Sequence, residues 1–242
     1  MQCRTLARQQ DQFSAGKVQS SWLSWDDIQK ARCAAEEKLA ALPGADEGSR
    51  KVDLVRDITI LRLLADQPPD RVGVVRTLRL GFTLKHKRCG SYMLDLSEPG
   101  AHKTSAWLGP IKTSINASIT PWLDSYVSLN SLLVGSYLFH ENDDHSKPLR
   151  DVNWTKFIKA LFKRHSGVAL CPKDVRSSFV TFLRSSKHGD DAVKAAAVAM
   201  RHSSKTQASA AYDKNGDRLV RAAMKVASDH SAKFTATSRK RQ

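Results

Sequence analysis

The chain has 242 residues, enough for one large domain or two small ones with a hydrophobic core. Hydrophobic residues make up 41% of it, yet no apolar run reaches the roughly 18 residues of a membrane span. The first residues lack the apolar stretch of a signal peptide, and the four cysteines show no CxxC spacing. We therefore expect an intracellular, reducing location, with no membrane partner, zinc site or disulfide framework.

The formal net charge of +15 is unevenly distributed. Residues 1–144 hold 18 basic and 17 acidic side chains, whereas residues 145–242 hold 21 and 7. Such an asymmetry indicates a polyanionic partner, most often nucleic acid, over the alternative of a merely soluble basic domain.

In chain order, residues 1–21 are polar and unpatterned, which predicts a linker or the remnant of a further domain. A helix follows in residues 22–42, with Ser24 as its N-cap. Residues 43–51 read as a loop, and residues 54–66 as a buried helix that two prolines, Pro68 and Pro69, end.

A small antiparallel sheet is predicted next, from a strand at residues 90–96 and a return strand at 103–109. Residues 119–129 predict a helix with Thr120 as N-cap and Pro121 at its first position. We expect a short buried strand at 132–139 and a loop at 140–148.

The basic part of the chain is predicted to be helical. Residues 153–167 carry an apolar stripe at helical spacing, and Gly167 ends that helix. Further helices are expected from Pro172, over 190–200 and over 216–230, before a basic flexible tail at 231–242. The fold class is therefore α+β, mainly α-helical, with a small antiparallel sheet.

Six polar residues in this framework are candidates for a functional site. They are Arg71, Lys103, Lys173, Arg176, His202 and Tyr212. Two guanidiniums clamp the oxygens of a phosphodiester well, because each planar fork meets two oxygens at once. A lysine or histidine can protonate the leaving oxygen, and a tyrosine can attack phosphorus. Enough fixed cations make a metal unnecessary.

Each candidate also has a purely structural interpretation. Arg71 could be a surface residue or helix cap, Arg176 an ion-pair partner of Asp174 or Asp213, and His202 a helix-end residue. Lys173 could be a solvated lysine and Tyr212 a half-buried structural tyrosine. For the role of Lys103, the nearby Lys112 and His102 are alternatives.

The order of these six residues resembles that of the tyrosine recombinase, or phage integrase, catalytic domain. That order is an arginine, a lysine on a β-turn, a His/Lys-x-x-Arg pair, a histidine and a tyrosine. The resemblance covers roughly residues 22–230, and the segments PPDR, HKTS, CPKDVR and MRHSSKTQ…YDK carry it. Their wording is closest to eukaryotic crypton-like or virus-borne members, which implies a mobile element.

The resemblance implies a site-specific recombinase that breaks and rejoins double-stranded DNA through a 3′-phosphotyrosyl intermediate. It implies Tyr212 as nucleophile, Arg71, Arg176 and His202 on the phosphate oxygens, Lys103 as acid, and Lys173 in support. It also implies four protomers on two duplexes, with the helix at 216–230 docked on a neighbour, no cofactor, and nuclear location in a eukaryotic host. The alternatives are a non-catalytic DNA-binding relic, a type IB topoisomerase-like enzyme and a basic RNA-binding protein.

The sequence departs from the family pattern at several points. Lys173 stands where histidine is commoner, and ten residues rather than nine separate His202 from Tyr212. The usual acidic residue soon after Arg71 is missing, and the core-binding domain is expected to be absent or reduced to the first residues. The segment HENDDH at 140–145 resembles a metal-binding loop only superficially, and a surface turn is the favoured interpretation.

Overall fold

The computed structural model describes residues 22–43, 48–98, 110–142, 144–185, 192, 195–197, 199–200 and 216–239, with the side chains of the last helix described over 221–236. Its elements are α1 (Trp25–Ala40), α2 (Ser49–Ala65), α3 (Val72–Arg76), β1 (Leu84–His86), β2 (Tyr92–Leu96), β3 (Ile111–Ser114), α4 (Thr120–Leu129), β4 (His140–Glu141), β5 (Asp144–Pro148), α5 (Asp151–Ser166), α6 (Pro172–Ser185) and α7 (Gly216–Arg239). The predicted α+β class, mainly helical with a small antiparallel sheet, is confirmed.

The helices with clear end signals form where the sequence predicts them. The Ser24 hydroxyl accepts from the backbone N–H of Asp27 at 3.1 Å, and the Asp27 carboxylate accepts from the backbone N–H of Ser24 at 3.3 Å. This reciprocal capping box fixes the start of α1. A C-terminal signal acts in the same way on α5. That helix ends at Gly167, whose φ of 80° lies in the left-handed region that glycine adopts without strain.

The core lies between helices α1, α2, α5 and α6, with the sheet and α4 at its side. The Trp25 ring packs against the Phe179 ring with centroids 4.8 Å apart, and the Phe139 ring packs against the Trp154 ring at 5.2 Å. Val175, Phe179 and Leu183 of α6 are buried, and Phe182 is partly buried. The contact between Trp25 and Phe179 joins α6 to α1.

The sheet has three strands in the order β1-β2-β3, all antiparallel. The strand predicted at 90–96 is confirmed as β2. The described partner on its far side is β3, and the return strand predicted at 103–109 lies outside the described residues. The strand β1 and the short helix α3 were not predicted, because runs of three to five residues carry too little periodicity.

Several predictions around residues 120–148 were wrong. Thr120 is the first residue of α4 rather than its cap, since a 3-10 turn over Ala117–Ile119 precedes it, and Asn116 caps that turn. The strand predicted at 132–139 is a series of turns joined to Arg79 by one bridge at Tyr137. The loop predicted at 140–148 is the hairpin β4–β5.

The last helix packs on its own chain and is longer than predicted. Ala223 and Ala227 are buried, and the backbone carbonyl of Ser231 accepts a hydrogen bond from Arg32 of α1 at 3.3 Å. The helix continues to Arg239, inside the segment for which the sequence predicts a flexible tail. Within this chain the last helix packs on α1, and its docking on a neighbour stays a prediction. Among the described helices, none combines the length and apolar character needed to cross a membrane.

Candidate active site

The backbone holds Arg71 firmly at the start of α3. Its carbonyl accepts from the N–H groups of Val74 and Val75 at 2.9 and 3.2 Å, and its own N–H donates to the Asp70 carboxylate at 2.7 Å. Pro68 and Pro69 restrict the backbone just before Asp70 and Arg71. The side chain is partly buried, and this burial lowers the pKa of Arg71. Arg71 is therefore a fixed cation in a place that disfavours its charge.

Arg176 lies on the second turn of α6, between the buried anchors Val175 and Phe179. Its Nη2 donates to the backbone carbonyl of Met200 at 3.1 Å, and its Nε is buried without a hydrogen-bond partner among the described residues. Burial, followed by the positive charge of Arg71, lowers the pKa of Arg176 to about 10.

Arg71 and Arg176 are thus brought close enough for their charges to interact, although 105 positions separate them in the chain. Placing a second guanidinium beside a buried one is unfavourable unless something compensates for both charges. An anion with several oxygens would do so, because guanidiniums bind phosphate and carboxylate in a bidentate manner. This part of the molecule is therefore suited to an anionic ligand.

The structural alternative for Arg176 was an ion pair with Asp174 or Asp213. Within the described residues Arg176 makes no ion pair with Asp174, whose carboxylate instead accepts from the Cys171 thiol at 2.8 Å. Asp213 lies outside the described residues. Burial, with the hydrogen bond to Asp174 second, raises the pKa of Cys171, so this thiol stays protonated.

Lys173 is exposed and lies one helical turn before Arg176 on α6. Residues three apart in a helix share a face, so Lys173 flanks the arginine pair at the rim. Lys103, His202 and Tyr212 lie outside the described residues. Lys103 belongs to the connection between β2 and β3, and His202 follows Met200 by two positions.

Two features of the site were missed from the sequence. The carboxylate of Asp70 fixes the backbone of Arg71, and the carbonyl of Met200 receives the guanidinium of Arg176. The motif PPDR did contain Asp70, so an acid directly before the arginine was an available signal. A backbone carbonyl leaves no trace in a sequence.

In the candidate metal loop, the rings of His140 and His145 pack at 4.3 Å, and His140 Nδ1 lies 2.6 Å from the carbonyl oxygen of Asn142. Over the described part of the chain, no three His, Cys, Asp or Glu side chains are grouped as metal ligands would be.

The chain matches solved structures by its fold, but it matches no curated protein by its sequence. No protein-family model matches the chain, and no curated protein matches its sequence. Among solved structures, the XerH site-specific recombinase bound to difH substrate before cleavage superposes over 83% of this chain with a TM-score of 0.53 and 13% identity. Its post-cleavage complex with palindromic difH covers 87% at 0.53 and 16%, and the XerA recombinase covers 83% at 0.50 and 17%.

The chain has a tyrosine recombinase-like fold. At 13–17% identity this likeness concerns the fold alone. The chain spans 52% of the XerH chain before cleavage, 54% of it after cleavage and 61% of XerA. Of the six candidate residues, the structure describes Arg71, Lys173 and Arg176.

Proposed function

We propose that the chain is the catalytic part of a site-specific DNA recombinase that cuts and rejoins strands through a 3′-phosphotyrosyl intermediate. The observation that carries this proposal is the pairing of Arg71 with Arg176, two partly buried cations from distant parts of the chain. Burial lowers the pKa of both, and the charge of Arg71 lowers the pKa of Arg176 further. A phosphodiester under attack gains negative charge on its non-bridging oxygens, and two fixed guanidiniums stabilise that charge best.

The remaining roles follow from the order of the residues. The oxygen of Tyr212 attacks phosphorus, a bond from Tyr212 to phosphorus forms, and the bond from phosphorus to the 5′-oxygen breaks. The phenol gives its proton to solvent, and the 5′-oxygen takes one from Lys103, which is reprotonated from solvent, so the step needs neither a redox partner nor ATP. Lys173 assists at the rim, and the 5′-hydroxyl of a partner strand reverses the step.

The link between Arg176 and Met200 supports the inclusion of His202. His202 follows Met200, whose carbonyl accepts a hydrogen bond from Arg176, by two positions in the chain. His202 would then donate to a non-bridging oxygen of the phosphate that the arginines hold. We propose duplex DNA as the substrate, four protomers on two duplexes as the active assembly, a mobile element as the source, and the DNA-containing compartment, the nucleus in a eukaryotic host, as the location.

A nicked suicide duplex tests this function. The 5′-hydroxyl fragment diffuses away after cleavage, so a covalent protein–DNA adduct accumulates. We expect the unaltered chain to form the adduct and Tyr212→Phe to form none. Tyr137→Phe is the matched control, since it removes the same oxygen from a ring that packs over Arg79. Adduct formation by Tyr212→Phe contradicts the nucleophile assignment, whereas duplex binding without an adduct in the unaltered chain indicates a non-catalytic binding protein.

A further inference from the structure

The three-stranded sheet turns one face to the core and a cationic face outward. Tyr92, Leu94 and Leu96 of β2 are buried on the core side. Because side chains alternate along a strand, Met93 and Asp95 of the same strand face the other way. The sheet therefore has a separate outer surface, which the site around Arg71 and Arg176 does not use.

The strand register identifies the other residues of that outer surface. Asp95 is paired with Lys112 of β3, and Met93 is paired with both Lys85 of β1 and Ser114 of β3. Directly opposed residues in antiparallel strands point to the same side of the sheet. The outer surface thus carries Lys85 and Lys112 together.

Side-chain contacts hold these lysines in position. Asp95 Oδ2 receives Lys85 Nζ at 2.8 Å and lies 3.5 Å from Lys112 Nζ, and the hydrogen bond from Lys85 is the main cause of the lowered pKa of Asp95. Lys87, at the β1–β2 turn, donates to the Ser114 hydroxyl at 3.2 Å. We call this surface, Lys85, Lys87, Asp95, Lys112 and Ser114, the cationic sheet face.

The last helix extends the cationic sheet face. Lys112 and Ser114 also line a groove of about 550 Å³ whose other wall is α7, with Arg221 and Lys225. The lining residues, all within the described part of the chain, include no acid. Lys225 pairs with Asp229 at 2.6 Å on the outside of the helix. Sheet and helix together present five cations and two carboxylates.

We propose that the cationic sheet face and the adjoining groove bind the phosphodiester backbone of duplex DNA beyond the phosphate that is cleaved. Ammonium groups, a guanidinium and hydroxyls without an acid in the groove are the groups that contact backbone phosphates. The inference rests on the proposed function.

The test is the salt dependence of duplex binding by Lys87→Gln/Lys225→Gln. The control is Lys30→Gln/Lys147→Gln, which also removes two lysines. The side chain of Lys30 is 67% exposed and that of Lys147 is 73% exposed, and each pairs with an aspartate three residues before it. Each lost phosphate contact lowers the slope of log K against log salt by about 0.9. We expect the slope to fall by about 2 in the test variant and to stay unchanged in the control.

Equal slopes in the test variant and the unaltered chain overturn the inference, and so does an equal loss in both variants. A larger effect on duplex RNA than on duplex DNA also overturns it. If the double variant does not fold, Lys87→Gln alone, in the turn, is expected to lower the slope by about 1, and no change overturns the inference. Adduct yield at saturating DNA distinguishes a failure of the proposed cleavage from a failure of the proposed binding surface. If the unaltered chain forms no adduct, the cleavage chemistry is refuted, and the salt-dependence slopes still test whether the cationic sheet face binds DNA.

Discussion

Arg32 and Arg176 are both withdrawn from solvent, and their guanidiniums have opposite surroundings. Burial by itself would lower the pKa of Arg32. The nearby carboxylates of Asp66 and Glu36 outweigh burial, so the pKa lies above the ordinary value for arginine. Burial and a second guanidinium lower the pKa of Arg176 instead. The same residue type thus has two settings: Arg32 joins helices through ion pairs, whereas Arg176 is the residue that we propose binds an anion.

The paired cluster around Arg32 spans three helices. Asp66 receives Arg62 at 2.7 Å and the Ser231 hydroxyl of α7, while Arg32 donates to the carbonyl of Ser231. Every charge in it meets an opposite charge. The site pair, Arg71 and Arg176, has a buried Nε on Arg176 without a partner among the described residues. The comparison predicts that removing a charge from the first cluster damages folding, whereas removing one from the second damages ligand binding and chemistry.

The largest effect is expected when Asp66 is replaced by alanine. The change leaves Arg32 and Arg62 short of their shared carboxylate in a buried place, and breaking such a pair costs about 3–5 kcal/mol. Chemical denaturation of the variant measures the loss. Asp144→Ala removes a carboxylate that pairs with Lys147 at the surface and should change stability little. Equal stabilities for the two variants would show that Asp66 contributes no more to folding than a surface carboxylate.

A smaller effect is expected from inorganic phosphate. An anion that binds the site of the folded chain stabilises it by about 2.7 kcal/mol at a hundredfold excess over its Kd. We expect phosphate to raise the Tm of the unaltered chain more than that of Arg71→Met, measured against chloride at equal ionic strength. The difference between the two proteins isolates the site from the general salting effect. An identical rise in both would show that the arginine pair does not hold the anion.

The smallest effect concerns the pH dependence of the cationic sheet face. The pKa of Asp95 is lowered, first by the hydrogen bond from Lys85. A carboxyl whose pKa is lower in the folded than in the unfolded chain stabilises the fold fully at pH values above the unfolded pKa, near 3.9 for aspartate. That contribution is lost as the pH falls from there through the folded pKa. We expect the Tm of the unaltered chain to fall more steeply below about pH 4 than that of Asp95→Asn. Parallel curves would mean that Asp95 is not stabilised by its lysines.

The sequence predicted the fold well where local signals were strong. Helices α1 and α5 were predicted because the Ser24 cap, the Gly167 stop and an apolar stripe agree with one another. Residues 132–148 were predicted wrongly, since a short apolar run does not distinguish a strand from buried turns, and the pairing of β4 with β5 depends on a hairpin without a strong turn signal.

The site could be predicted only in part. Arg71 and Arg176 stood out through their order in the chain, but nothing in either motif indicates that burial and mutual repulsion would lower the pKa of Arg176. The paired cluster was missed altogether. Arg32 and Asp66 lie on separate helical segments, and only tertiary packing brings an arginine of α1 to the end of α2 and to α7.

Stability and adduct formation, measured side by side in Arg176→Met, test whether Arg176 serves the bound phosphate or the fold. The substitution keeps an unbranched apolar stem and removes a charge that repels Arg71, together with the hydrogen bond to the Met200 carbonyl. We predict a free energy of unfolding equal to or above that of the unaltered chain, together with an adduct rate lowered by about a hundredfold to a thousandfold. A variant that unfolds more easily but still forms the adduct at the original rate would contradict the claim and make Arg176 a structural residue like Arg32.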